Sequence, residues 1–392
     1  MTRDTAFEMA TSNIRFGPGI TREVGMDLAD LGVRRTLVLT DPHMATLPPV
    51  EIVRESLAAE HIEFDLYDQV RVEPTDQSFQ HAIEVARAGQ YDAFLAVGGG
   101  STIDTAKAAN LYATYPDDFL AYVNAPLGSA KPVPGPLKPL IAVPTTAGTG
   151  SECQSFALIA DADTHQKMAC GDPKAAPVIA VLDPTLTVTQ PRQVTANTGI
   201  DAVAHALETA VTRTRTEQSW HYSCDAFRLT AGNLSSVLES PDCIDSRAGM
   251  QLGACHAGLA IELSMLGAAH SAANPLTARF GITHGRAVGM MLPHVVRFNA
   301  EEPDARAAYE KMATFVLSSD ESTEPTVDGL VACLESLLRT ADFPESLVEC
   351  GVTDDVVPEL AIEAADQWTA KFNPRSVSVS DFDALYRSAL GS

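Results

Sequence analysis

Asp201 and His205 lie four residues apart in GIDAVAHALE, residues 199–208, an otherwise mostly apolar stretch. Such a composition reads as a buried helix, and a four-residue spacing puts both side chains on one face, one turn apart. A buried carboxylate costs several kcal/mol unless something compensates it. No Lys or Arg stands close to Asp201 in the sequence. Of the ten histidines, His205, His256, His270, His284 and His294 sit in apolar, helical surroundings in the second half of the chain. His43, His61, His81, His165 and His221 sit in polar or loop-like contexts and read as surface or structural residues. A cation shared by Asp201, His205 and two further histidines would compensate the carboxylate. One carboxylate with several imidazoles is a borderline oxygen and nitrogen donor set, suited to Fe²⁺ or Zn²⁺. The residue pattern leaves open which two histidines complete it.

Three further stretches point to a nucleotide. VGGGSTIDTAK, 97–107, places glycines between an apolar strand and a helix, an arrangement that turns backbone N–H groups and a helix N-terminus toward a phosphate. Its Ser101 and Asp104 also have the S-x-x-D spacing of a capping box. PTTAGTGSE, 144–152, follows a strand with four hydroxyls and two glycines, more than a plain turn needs. Asp41 ends the run RRTLVLTD, where an acidic residue can bind the ribose hydroxyls of NAD and repel a 2′-phosphate, or simply start a turn.

These groups need elements to hold them. Up to Pro184, apolar runs at 34–41, 62–70, 91–100, 139–144 and 176–184 alternate with helical segments, which implies a parallel sheet with helices on its faces. Beyond it the chain is Ala- and Leu-rich, with helices expected at 217–238, 247–271, 286–298, 302–318, 326–340, 355–371 and 379–390. The expected domains are 1–187 and 188–392, with a site in the cleft between them. A length of 392 residues and an apolar content of 45% fit two globular domains. The seven cysteines include no C-x-x-C pair and read as reduced thiols. A net charge of −24 disfavours nucleic acid and anionic membrane as partners. The N-terminal residues lack the apolar run of a signal peptide, and AGLAIELSMLGAAHSAANPL is broken by Glu262 and His270, so the expectation is a cytoplasmic protein without a membrane span.

GGGSTIDTAK, PTTAGTGSE, GIDAVAHALE and GAAHSAANPLTARFGITHG, in this order, resemble the iron-containing (group III) alcohol dehydrogenases. The likeness extends from FGPG at 16–19 to NPR at 373–375. It implies the dehydroquinate synthase-like fold: an α/β dinucleotide-binding domain built on a parallel sheet, then an all-α metal-binding domain. By motif position the metal ligands fall on Asp201, His205, His270 and His284. Cofactor contacts fall on Asp41, Gly98, Gly99, Gly100, Ser101, Thr145, Thr146, Thr149, Lys167 and Leu186. Asp41 matches the acidic position associated with NAD over NADP. Many relatives carry a second histidine four residues after the third ligand; here Asn274 stands there, a candidate for the substrate site.

The implied activity is a metal-dependent NAD(P)-linked alcohol dehydrogenase acting on a small alcohol or aldehyde, as a homodimer or higher homo-oligomer. The rivals are a dehydroquinate-synthase-type enzyme, a metal-free maleylacetate-reductase-type enzyme, and a non-enzymatic nucleotide-sensing or assembly protein. Few lysines in the second half argue against the first, and the intact Asp/His set against the other two.

Overall fold

Short apolar runs and helices alternate through the first half, as the sequence demands. The computed structural model describes residues 11–124, 127–161, 167–317 and 325–391, so His165 lies outside the described residues. The strands are β1 (Asn13–Phe16), β2 (Arg35–Leu39), β3 (Glu63–Tyr67), β4 (Ala93–Gly98), β5 (Leu140–Pro144), β6 (Phe156–Ala160), β7 (Lys167–Gly171) and β8 (Ile179–Leu182). Helices α1 (Val24–Asp30), α2 (Pro48–Ala59), α3 (Asp76–Ala88) and α4 (Gly100–Thr114) connect them. Six strands form one parallel sheet in the order β1-β8-β5-β4-β2-β3. The central strands β4, β5 and β8 are buried along their whole length, which is why they read as unbroken apolar runs. From β2 the chain moves outward to β3, then crosses back and runs the other way through β4, β5 and β8. The order therefore reverses between β2 and β4, and the crevice at their carboxyl ends is where sheets of this kind take ligands.

Strands β6 and β7 form a separate antiparallel pair that the sequence reading passed over. Their connecting stretch is polar, so no tight-turn dipeptide announces the hairpin.

The described residues pack as two units: one holds 11–146 and 150–190, the other 147–149 and 191 onward. The second is helical: α5 (Arg192–Thr209), α6 (Glu217–Glu239), α7 (Ile244–Ser264), α8 (Ala268–Phe280), α9 (His284–Asn299), α10 (Pro303–Ala313), α11 (Val327–Thr340), α12 (Val357–Asp366) and α13 (Val379–Leu390). None of the described helices is by itself long and apolar enough to cross a membrane. Core residues of this unit come from nearly all of these helices and include Phe227, Leu234, Met291, Tyr309, Phe382 and Tyr386.

The expected single helix at 247–271 is instead two, α7 and α8, bent by 106°. Met265 takes a φ of 64° at the break. A Cβ on Gly267 would stand 2.9 Å from Asn373 Oδ1 and 3.1 Å from Glu208 Oε1, so a side chain there would press both oxygens out of place. Those oxygens accept the first amides of α8: Ala268 N reaches Asn373 Oδ1 at 3.2 Å, and Ala269 N reaches Glu208 Oε1 at 2.7 Å. The new helix is capped by residues remote in sequence, so no local cap signal marks its start. Further on, α8 runs through Pro275 to Phe280, so Asn274 does not end it.

Candidate metal centre and nucleotide-binding edge

In the helical unit, α5 carries Asp201 and His205 on one face, with His205 Nε2 3.5 Å from Asp201 Oδ1. His270, in the first turn of α8, places its Nε2 3.5 Å from the same oxygen and stacks on His205, ring centroids 4.8 Å apart. His284 opens α9. A Cβ on Gly285 would lie 2.1 Å from Asn197 O, so only glycine lets α9 approach α5 closely enough to bring His284 in. Asp201, His270 and His284 each present a donor atom within 4.8 Å of the others. His205 adjoins this group through Asp201 and His270.

Asp201, His205 and His270 are at most 5% exposed. The 3.5 Å separations from Asp201 Oδ1 to His205 Nε2 and His270 Nε2 are long for hydrogen bonds, and neither Asp201 Oδ1 nor His270 Nε2 has a hydrogen-bond partner. Convergent buried lone pairs of this kind fit a divalent cation. Burial works to raise the Asp201 carboxyl, but His205, His270 and His284 outweigh it and hold the group well below the usual carboxylate range. Burial pushes His205 down. Burial pulls His270 down too, yet the carboxylates of Glu208 and Asp201 carry it up to about 9.

A bound cation requires neutral imidazole, so its uptake displaces the His270 proton. Affinity for Zn²⁺ is expected to rise roughly tenfold per pH unit between about pH 7 and pH 9, then level off. The sign for stability is opposite: in metal-free protein the His270 charge stabilises fully below about 6.5 and is lost as pH rises through about 9. Chelator competition at several pH values measures the first effect; a pH-independent affinity contradicts it.

The other two histidines in apolar surroundings, His256 and His294, face elsewhere. His256, on α7, lies against the Tyr222 ring at 5.7 Å, and His294 Nδ1 bonds Ser388 Oγ at 2.8 Å. Asn274 stands one turn beyond His270 on α8, its Nδ2 donating to Gln367 Oε1 at 2.9 Å. Sequence reasoning missed Glu208, which accepts a hydrogen bond from His270 Nδ1. Its signal was present: Glu208 follows Asp201 by seven residues, two turns along the same helix.

In the α/β unit, Gly98 ends β4, and Asp41, Gly99, Gly100, Ser101, Thr145, Thr146 and Leu186 follow the carboxyl ends of parallel strands. Helix α4 starts at Gly100 with no side-chain cap. The capping-box reading of Ser101 and Asp104 therefore fails. Ser101 Oγ instead accepts the Glu73 amide at 3.3 Å. Asp104 Oδ2 takes the Leu158 amide at 2.9 Å, and its Oδ1 faces Ser151 Oγ and Lys107 Nζ. Uncapped first-turn amides suit an anion. Thr145 is buried, and its Oγ1 has no partner. Thr146 packs against Gly99. Leu186 is buried in the apolar core of this unit, and Lys167 Nζ lies 3.7 Å from Glu73, a residue the sequence reading did not single out. Thr149 falls in the short segment that packs with the helical unit.

Asp41 Oδ1 accepts the amides of His43 and Met44, each at 2.9 Å, so it does start a turn while standing beside the crevice between β2 and β4. If its carboxylate also faces the adenosine ribose, Asp41→Asn keeps the turn and removes the charge. The NAD to NADP ratio of kcat/KM should then fall by about 1–3 kcal/mol, or roughly 5- to 150-fold. Steady-state kinetics with both cofactors measure it, and an unchanged ratio removes Asp41 from the cofactor site.

Residues 11–184 match the family model for iron-containing alcohol dehydrogenase, and 195–390 match that for the C-terminal part of the Fe-containing alcohol dehydrogenase family. The chain belongs to the iron-containing alcohol dehydrogenase family. Among curated members, the hydroxyacid-oxoacid transhydrogenase of Bos taurus mitochondria is 37% identical, covering 99% of this chain and 91% of its own length. The Homo sapiens protein of the same name is also 37% identical, with the same coverage. Among solved structures, a 1,3-propanediol oxidoreductase superposes with a TM-score of 0.91 at 28% identity, over 98% of this chain and all of the other. The iron-containing alcohol dehydrogenase of Thermococcus thioreducens gives 0.89 at 25% identity, over 99% of this chain and all of the other. The expected architecture, a parallel-sheet α/β domain followed by a helical one, is that of this family, and the chain is an oxidoreductase of its type.

Proposed function

We propose that this family member moves hydride between a hydroxy acid and an oxo acid, with NAD as the carrier and one divalent cation, Fe²⁺ or Zn²⁺, held by Asp201, His205, His270 and His284. The observation that carries the metal-dependent chemistry is the convergence of buried Asp201 and His270 with half-buried His284 on one point. The choice of acids over plain alcohols is supported by the likeness, over nearly the whole chain, to hydroxyacid-oxoacid transhydrogenases.

When bound, the cation supplies Lewis-acid polarisation of the carbinol or carbonyl oxygen, and the nicotinamide supplies the hydride-accepting carbon. The chain's residues do the positioning. Burial of Asp201, His205 and His270 keeps competing water from the donor set. The uncapped start of α4 and the partnerless Thr145 hydroxyl offer donors to the dinucleotide. Asn274, one turn from His270, can hydrogen-bond a substrate but does not titrate near neutral pH, so it moves no proton.

A second reading, an NAD-linked dehydrogenase of a simple alcohol, is favoured by the likeness to 1,3-propanediol oxidoreductase. The two differ in stoichiometry. With trace NAD, a short hydroxy acid and an oxo acid together, transhydrogenation should form product in large excess over NAD, without NADH accumulating. A dehydrogenase would accumulate one NADH per alcohol oxidised and ignore the oxo acid. Turnover of plain alcohols with no turnover of acids overturns the proposal.

A further inference from the structure

Glu208 is 2% exposed and makes two different bonds with its two oxygens. Oε1 accepts the Ala269 amide at 2.7 Å, and Oε2 accepts from His270 Nδ1. The opposite nitrogen of that ring, Nε2, faces Asp201 Oδ1 and has no hydrogen-bond partner. A carboxylate bonded to one ring nitrogen keeps the proton there and leaves the lone pair on the other. Gly267 makes room for this oxygen pair: a Cβ at that position would stand 3.1 Å from Glu208 Oε1. One side chain thus anchors the start of α8 and the plane of the imidazole that α8 carries.

We propose that Glu208 is a positioning residue for the cation site, holding His270 in the tautomer and orientation that turn Nε2 toward Asp201. This rests on the metal-dependent reading above. Glu208 touches neither substrate nor cation; it acts through His270. The proposal separates two roles that the geometry combines, capping α8 and orienting the ring.

Glu208→Gln separates them. Glutamine keeps an oxygen to accept from Ala269 N and nearly the same volume, but turns an NH₂ donor toward His270 Nδ1. That arrangement favours the ring proton on Nε2, where it blocks coordination. Zn²⁺ affinity should fall roughly 10- to 100-fold, measured by chelator competition over a pH series reaching about 9.5, so that proton competition at His270 is separated from orientation. The thermal midpoint of the metal-free variant should fall, through loss of the charge facing His270, but less than that of Glu208→Ala, because the bond from Ala269 N is kept. Glu208→Ala, which loses both bonds, should weaken Zn²⁺ at least as much and lower that midpoint further. Equal Zn²⁺ affinity in wild type and Glu208→Gln at the alkaline end of the series overturns the positioning role while leaving the metal site intact. So does a metal-free Glu208→Gln protein as destabilised as Glu208→Ala, which would make Glu208 a cap alone. Wild-type protein that binds neither Zn²⁺ nor Fe²⁺ overturns the metal-dependent reading itself.

Discussion

Asp201→Ala and His270→Ala proteins are expected to purify without bound iron or zinc and with kcat/KM lowered by about 4 kcal/mol, roughly 10³-fold, because polarisation of the reacting oxygen by the cation is worth several kcal/mol. Asp201 is the hub of the cluster, since His205 and His270 each place Nε2 3.5 Å from its Oδ1. Its removal takes away the carboxylate that His205 and His270 both face. NAD affinity should stay within a few-fold of wild type, because the strand-end residues of the nucleotide edge belong to the α/β unit. Elemental analysis, isothermal titration with NAD and steady-state kinetics on the same preparations measure the three quantities. Full metal content in both variants would falsify the assignment of these side chains as ligands. Full activity without metal would move the chemistry elsewhere.

Lys107→Met should destabilise the α/β unit by about 3–5 kcal/mol, the usual cost of removing one partner from a buried ion pair. Lys107 is 1% exposed, and its Nζ donates to Ser151 Oγ at 2.7 Å and Phe156 O at 2.6 Å, with Asp104 Oδ1 at 3.3 Å. It therefore ties helix α4, which begins at the glycine loop, to the segment that follows β5 and to β6. Methionine fills the volume but leaves Asp104 without its cation. NAD affinity should fall with stability, because the start of α4 is no longer held against that segment. Pairing the change with Asp104→Asn should restore part of the loss, since the amide removes the unpaired charge and keeps an oxygen for the Leu158 amide. Urea unfolding followed through the α/β unit, with single and double variants in parallel, tests this. A single-variant loss below about 1 kcal/mol would show that the pair contributes little net stability.

Local spacing within one element was legible in the sequence. Asp201 and His205 share a helix, and helical periodicity alone puts them on one face. The strand, glycine and helix succession around Gly98–Ser101 also needs only neighbouring residues, and five of the six strands of the parallel sheet stood out as apolar runs. The four-residue strand β1 did not, because too few residues carry its pattern. The β6–β7 pair was hidden because pairing partners are chosen by contact, not by either strand's composition. The role of Asp104 was misread for a related reason. Its spacing from Ser101 suits a cap, but Lys107 and the amide of Leu158, 54 residues away, bind the carboxylate more fully.

The residue pattern alone showed five apolar-context histidines and could not choose among them; resemblance to a family named His270 and His284. The tertiary structure shows what separates these from His256 and His294. Residues on different helices have no fixed phase relative to one another, so their meeting depends on where helices break and how closely they pack. The 106° turn between α7 and α8 is held by Asn373, 105 residues beyond Ala268, and by Glu208, 61 residues before Ala269. That turn carries His270 back over α5, while His256, on the straight part of α7, is left facing Tyr222. Gly285 admits α9 against the Asn197 carbonyl and so delivers His284, whereas His294, ten residues further along the same helix, ends beside Ser388. Periodicity settles which side chains share a face of one helix; the close approach of separate helices, permitted by two glycines and held by remote hydrogen bonds, settles which faces meet.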